Sequence, residues 1–155
     1  MTEVTEAWLM QEFTKRAKAC QLEVDCLGSG KLDSEICIIG EAPGEREAMM
    51  KMPLVGGSGK LLWDVLKPLN ISRKDCYVTN VVKRQVSLSS KTDARNPVKK
   101  VEIEHWEGLL DWELDYLPNL KYILILGNMA LHAVIGETGI TNWRGSVYDC
   151  KVGRK

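Results

Sequence analysis

Ile36-Cys37-Ile38-Ile39, running straight into Gly40-Glu41-Ala42-Pro43-Gly44, is the stretch from which the fold follows. Four consecutive apolar residues, three of them β-branched, are too few for a helix and suit a strand buried on both faces. The glycines and Pro43 then end it abruptly in a turn. A short buried strand that stops at a glycine-rich turn is the opening unit of a parallel sheet, and the pattern recurs down the chain. Residues 60–69 have helical periodicity, 77–82 read as a second strand, 99–117 as a long helix, 122–126 as a third strand, 129–135 as a short helix and 146–152 as a fourth strand. Upstream, Trp8, Leu9, Phe13 and Ala17 fall at helical spacing in an amphipathic N-terminal helix, and Gly28-Ser29-Gly30 mark a loop.

Alternation of strand and helix predicts an α/β protein: a three-layer α/β/α sandwich around a central, mostly parallel four-stranded sheet. In such sheets the loops leaving the strand carboxyl ends gather along one edge, and ligands bind in the crevice there. The loops 40–59, 80–97 and 127–128 are therefore the place to look for function.

The 155 residues, 45% hydrophobic and 27% charged, suit one folded domain over 1–155, with residues 1–30 packing on it as helix and loop, and exclude disorder. The longest apolar runs fall far short of the roughly 20 residues needed to cross a bilayer. The N-terminus also lacks a basic start followed by an apolar core. No membrane association or export is expected, and the expected location is cytoplasmic. Twenty-one basic and twenty-one acidic side chains cancel, so affinity for nucleic acid has to come from a local patch. Cys20, Cys26, Cys37, Cys76 and Cys150 form an odd set without a Cys-x2-Cys pair and read as reduced, structural thiols. His105 and His132 have no ligand spacing and are assigned to structure; no metal site is expected.

Within the first loop, Met52-Pro53-Leu54-Val55-Gly56-Gly57-Ser58-Gly59-Lys60-Leu61-Leu62 opens a helix whose free N–H groups and positive dipole end attract phosphate. A nucleotide P-loop is excluded, because it requires Gly where Leu54 stands and Ser or Thr where Leu61 stands. Between residues 83 and 100 there are six basic side chains, Lys83, Arg84, Lys91, Arg95, Lys99 and Lys100, against Asp93 alone, a patch suited to phosphates. The next helix carries Glu102, Glu104, Glu107, Asp111, Glu113 and Asp115, read as a solvated outer face.

The stretch 40–62 resembles the first signature of the family 4 and related uracil-DNA glycosylases, of the form GEAPG-x2-E-x5-PFVG-x-[AS]-G-x-LL. Tyr77-Val78-Thr79-Asn80-Val81-Val82-Lys83 is similar to the second-strand motif of that superfamily, and Arg95-Asn96-Pro97 to the Asn-Arg-x-Pro segment that follows it. Leu126-Gly127-Asn128-Met129-Ala130 and Ile140-Thr141-Asn142-Trp143-Arg144-Gly145 are similar to its LGxxA and ITxxRG segments. The resemblance runs from about residue 36 onward, in the family's order.

It implies an enzyme that extrudes uracil from DNA and hydrolyses its N-glycosidic bond, acting in base excision repair. By that resemblance Glu41 positions or activates the attacking water and Asn80 reads the uracil edge. Gly40, Ala42, Pro43, Gly44 and Leu54 surround the base, while Gly56, Gly57, Ser58, Gly59, Lys60 and Lys83, with Arg84 and Arg95 of the basic segment, hold DNA phosphates. Glu41 and Asn80 are expected to converge on one cleft. Taken without the resemblance, Glu41 equally suits hydrogen-bonding loop amides, and Asn80 suits ending its strand on its own backbone.

There are four departures from the wider superfamily's pattern. Leu54 replaces the phenylalanine expected to stack on the base. Ala42 stands where other branches of the superfamily carry a water-activating aspartate, which family 4 lacks too. The family 4 iron-sulfur ligands are not reproduced, since Cys20 and Cys26 are misspaced and Arg84 and Trp106 replace thiols; no cofactor is expected. A His-Pro-Ser-like segment would lie beyond Lys155, so the chain is expected either to be the front piece of something longer, the favoured reading, or to be a naturally catalytically reduced domain. Uracil-glycosylase-like domains stand at the front of some phage-type DNA polymerases. That gives the alternative expectation: a non-catalytic DNA-binding or assembly module of a replication protein in a bacterial or phage-infected cell, partnered by DNA and a polymerase.

Overall fold

A computed structural model describes residues 4–86 and 98–152. In chain order its elements are α1 (Glu6–Ala19), β1 (Ser29–Gly30), β2 (Ile36–Gly40), α2 (Glu45–Met50), α3 (Gly57–Leu66), β3 (Cys76–Asn80), α4 (Lys100–Leu114), β4 (Tyr122–Ile125), α5 (Asn128–Ile135) and α6 (Ile140–Trp143), with single 3-10 turns at Lys67–Leu69 and Arg73–Asp75. The strands form one sheet in the order β1-β3-β2-β4. β2 runs parallel to both β3 and β4, and β1 is antiparallel to β3.

Both faces of the sheet are covered because successive strand residues point to opposite sides. Cys37, Ile39 and Tyr77 pack into a large core with Leu9, Phe13 and Ala17 of α1, Trp106, Leu110 and Leu114 of α4, and Ala130 and Val134 of α5. Ile38, Cys76 and Val78 face the other way, against Leu62, Trp63 and Leu66 of α3 and Ile71. The expected mixed α/β architecture with a mostly parallel, four-stranded sheet is observed.

The identity of the fourth strand differs from expectation. Residues 146–152 form no strand; Val147 and Tyr148 are exposed and only Val152 is buried, so the run lacks the buried face that would drive sheet pairing. The fourth strand is instead Ser29–Gly30, pairing Ser29 with Val78 and Gly30 with Tyr77. Gly30 has φ +122°, and a Cβ there would come within 2.4 Å of the Cys76 carbonyl oxygen, so only glycine allows this approach. The helix α2 was also not expected: none of its residues is buried, so it has no apolar periodicity to read.

No helix among the described residues is long and apolar enough to cross a membrane. All five cysteines are free thiols, with Cys26, Cys37 and Cys76 buried. Burial pushes the Cys26 thiol up to about 11 and Cys37 well above its ordinary value.

Candidate nucleobase site at the carboxyl edge of the sheet

The register of β2 against β3 pairs Gly40 with Asn80 at the carboxyl ends of both strands. Asn80 is buried and on the same face as Val78. A Cβ built on Gly40 would stand 2.4 Å from Asn80 Oδ1 and 4.0 Å from Leu54 Cδ2. Gly40 is therefore a glycine because the Asn80 amide occupies the space above it. Beyond the strand ends, Val81 N–H donates to the Gly40 carbonyl and Val82 N–H to the Glu41 carbonyl, both at 2.9 Å, so the two loops leave the sheet still joined.

Leu54 reaches this group through an unusual backbone. Its φ is +54°, a left-handed conformation that costs a non-glycine residue roughly 1–2 kcal/mol. Its carbonyl accepts from Trp63 Nε1 at 3.1 Å, and the preceding Pro53 carbonyl accepts from an Arg73 guanidinium nitrogen at 2.5 Å. Gly59, in the first turn of α3, lies so close that a Cβ would come 2.0 Å from the Leu54 carbonyl oxygen. The turn is also tied to α2: Gly56 N–H donates to Glu47 Oε1 at 2.8 Å, and a Cβ on Gly44 would come 2.9 Å from Glu47 Oε2. Pro43 is buried, while Gly57, Ser58 and Lys60 are exposed at the start of α3, where the helix dipole favours an anion and the Glu47 carboxylate already takes the Gly56 N–H.

Glu41, one residue beyond Gly40, projects to the other side of the sheet. Its Oε1 accepts from the Met129 N–H at 2.9 Å, in the first turn of α5. A Cβ on Gly127, itself at φ +101°, would overlap the Glu41 carboxylate. Glu41 lines a cavity of about 420 Å³ between α4 and α5, with Lys100, Ile103, Glu104, Glu107, Asn128, Met129 and His132. His132 Nδ1 lies 2.6 Å from Glu107 Oε1. Asn80 is not in the wall of that cavity. The expected common cleft for Glu41 and Asn80 is thereby corrected: the partner of Asn80 across the register is Gly40, and side-chain alternation sends the next residue, Glu41, to the α5 face.

Two expected phosphate contacts are also corrected. Lys83 is fully buried, and its Nζ lies 2.7 Å from Glu113 Oε2, donates to Thr79 Oγ1 at 2.8 Å and donates to the Asn80 carbonyl. Tyr77 OH donates to the same Glu113 carboxylate at 2.7 Å, and burial beside that carboxylate pushes the Tyr77 phenol well above its ordinary range. Arg84 is buried against Glu102, with Nε to Oε1 at 2.5 Å and a terminal nitrogen to Oε2 at 2.9 Å. Neither cation presents a surface to a phosphate. The acidic face of α4 is correspondingly less solvated than its sequence implied, since Glu113 is in the core and Glu102 is paired. Arg95 and the Arg95-Asn96-Pro97 segment lie outside the described residues.

At two of the positions where the resemblance would place cluster thiols stand Arg84 and Trp106. Arg84 is occupied by Glu102, and Trp106 is buried with its Nε1 donating to Glu102 Oε1 at 3.1 Å. Neither side chain supplies a thiolate. Of the two cysteines at these positions, Cys26 is buried, and burial pushes its thiol up to about 11. Among the described residues no group of three or more His, Cys, Asp or Glu side chains is placed to hold a metal ion.

A mostly parallel sheet covered by helices on both faces, with a buried amide and a strained apolar turn brought together at its carboxyl edge, defines an α/β domain whose candidate site lies at the strand carboxyl ends. The family model of the uracil DNA glycosylase superfamily matches residues 27–152, and the chain belongs to that superfamily. It is 31% identical over 153 residues to a type-4 uracil-DNA glycosylase of Thermotoga maritima, covering 95% of this chain and 76% of that protein. It is 33% identical over 128 residues to one of Archaeoglobus fulgidus, covering 79% of this chain and 60% of that protein. With one of Sulfurisphaera tokodaii the identity is 32% over 148 residues, covering 91% and 64%. The chain thus spans between 60% and 76% of the length of these three relatives.

Proposed function

We propose that the chain binds uracil extruded from DNA in the pocket bounded by Gly40, Leu54 and Asn80, and hydrolyses its N-glycosidic bond. The observation that carries this reading is the close apposition of the Asn80 amide with Gly40 and Leu54, in a member of the uracil DNA glycosylase superfamily. A carboxamide presents a donor and an acceptor side by side, the complement of a uracil carbonyl and its neighbouring ring N–H. Leucine gives the base an apolar wall without aromatic stacking, so capture loses the roughly 1–3 kcal/mol that a ring contributes. Ala42, Pro43 and Gly44 shape the turn beside the base. Gly57, Ser58 and Lys60, exposed at the start of α3, hold a flanking phosphate. Glu41 orients the attacking water, which requires its carboxylate to turn from the Met129 N–H on the α5 face toward the base pocket. No iron-sulfur cluster takes part.

The test is release of uracil from a single-stranded oligonucleotide, read as alkali-labile abasic sites, with Glu41→Ala and Asn80→Ala alongside. Product from the wild type that is reduced in both variants supports the proposal. No product above background from the wild type rejects hydrolysis.

One observation favours a second reading, a non-catalytic DNA-binding module that works with a replication protein such as a phage-type polymerase: the Glu41 carboxylate caps α5 in a cavity that Asn80 does not line. That reading predicts DNA binding without product, and affinity indifferent to uracil.

A further inference from the structure

The left-handed backbone of Leu54 is the one strained feature of the candidate pocket, and strain of this kind persists only where the surroundings over-determine it. Two side chains do so here. Arg73 donates to the carbonyl before Leu54 and Trp63 to the carbonyl of Leu54 itself, so both peptide groups flanking its Cα are pinned. The pinning groups support each other, because the Arg73 guanidinium lies 5.7 Å from the centroid of the Trp63 ring. Arg73 is also tied to β1 through Ser29 Oγ at 3.3 Å. Trp63 comes from α3 and Arg73 from the turn before β3, so the clamp bridges two elements that frame the pocket. The first turn of α3 closes the third side, where Gly59 leaves no room for the turn to relax outward.

Resting on the uracil-binding reading above, we propose that Trp63 and Arg73 are positioning residues that hold Leu54 over Gly40 and Asn80. They thereby set the width of the base pocket. Neither touches the base; both act through the 53–54 backbone. Releasing either carbonyl lets residue 54 relax toward negative φ, which swings the Leu54 side chain away from Gly40 and removes the apolar wall. Binding of ground state and transition state then weakens together, a change that appears in KM and not in kcat.

The test combines two readouts on the full chain, with Trp63→Phe, which keeps a ring but removes the donor, and Arg73→Lys, which keeps charge but loses the fork. The first readout is amide hydrogen exchange over residues 54–57, independent of any activity, where each variant is expected to exchange about tenfold faster while the sheet is unchanged. The second is uracil release, where KM is expected to rise about tenfold with kcat within about twofold. In a Leu54→Gly background, where no side chain needs placing and positive φ carries no penalty, Trp63→Phe is expected to change KM less than about twofold. Unchanged exchange at 54–57 overturns the clamp whatever the DNA assay gives. An equal KM effect with and without the Leu54 side chain overturns its role in the pocket. Absence of uracil release by the wild type rejects the proposed hydrolysis instead; the same KM comparison is then made as the Kd of a uracil-containing oligonucleotide.

Discussion

Asn80 Oδ1 occupies the space in which a side chain on Gly40 would begin, 2.4 Å from where its Cβ would stand. The obstacle is the tip of a flexible side chain, so Gly40→Ala can be accommodated by rotating the amide away. The methyl also reduces the backbone entropy lost on folding, which offsets part of the crowding. The expected result is uracil release lowered by about 100-fold, the scale of a misplaced reacting group, with the urea midpoint nearly unmoved. A large loss of stability with normal specific activity in the remaining folded protein would count against Asn80 as the base-reading group.

Glu41 can serve α5, the chemistry, or both, and Glu41→Gln separates these uses. Glutamine keeps an acceptor oxygen for the Met129 N–H, whereas alanine removes it and costs about 0.5–2 kcal/mol as a lost cap does. If the carboxylate orients water, Glu41→Gln lowers uracil release by about 100- to 10000-fold while denaturation curves overlay those of the wild type. Retained activity in Glu41→Gln assigns the residue to capping alone.

How far the sequence disclosed this site depended on the range of the interaction. The apolar run at 36–39 and its glycine turn gave the central strand and the functional edge, because strand and turn chemistry are local. The reason for Gly40 is not local: it lies in the register that sets Asn80 beside it, 40 residues away. Likewise Lys83 reads as one of six basic residues near the loop, and its burial follows from Glu113, which is 30 residues on and across a helix. Charge counts register a side chain but not its partner. The two-residue strand β1 is too short for any periodicity to announce it.

Burial of Lys83 predicts a stability phenotype in place of a DNA-binding one. Lys83→Met leaves Glu113 without its cation in the core, which is expected to cost about 3–5 kcal/mol in urea denaturation. Adding Glu113→Gln removes the unpaired carboxyl and keeps an acceptor for Tyr77 and Thr79, so the double variant is expected to recover most of the loss. Lys60, exposed at the start of α3, behaves in the opposite way. Lys60→Ala is expected to leave the urea midpoint unchanged and to reduce the slope of log K against log salt for single-stranded DNA by about 0.7.

The Arg84–Glu102 pair makes part of the stability depend on pH. The Arg84 hydrogen bond is the main influence holding the Glu102 carboxyl below its ordinary 4.5, against the opposing effect of burial. Because the folded value is lower than the unfolded one, the unfolded chain takes up the proton first as pH falls. The contribution is therefore complete above about 4.5 and is lost as pH drops through the folded value. Urea midpoints of the wild type and Glu102→Gln, measured from neutral pH down to about 3, should differ by a constant amount above 4.5 and converge below it. Glutamine retains an acceptor for Trp106 Nε1, so the converging part of the difference reports the charge pair. Curves that remain parallel through the acid range would show that the pair carries no proton-linked stability.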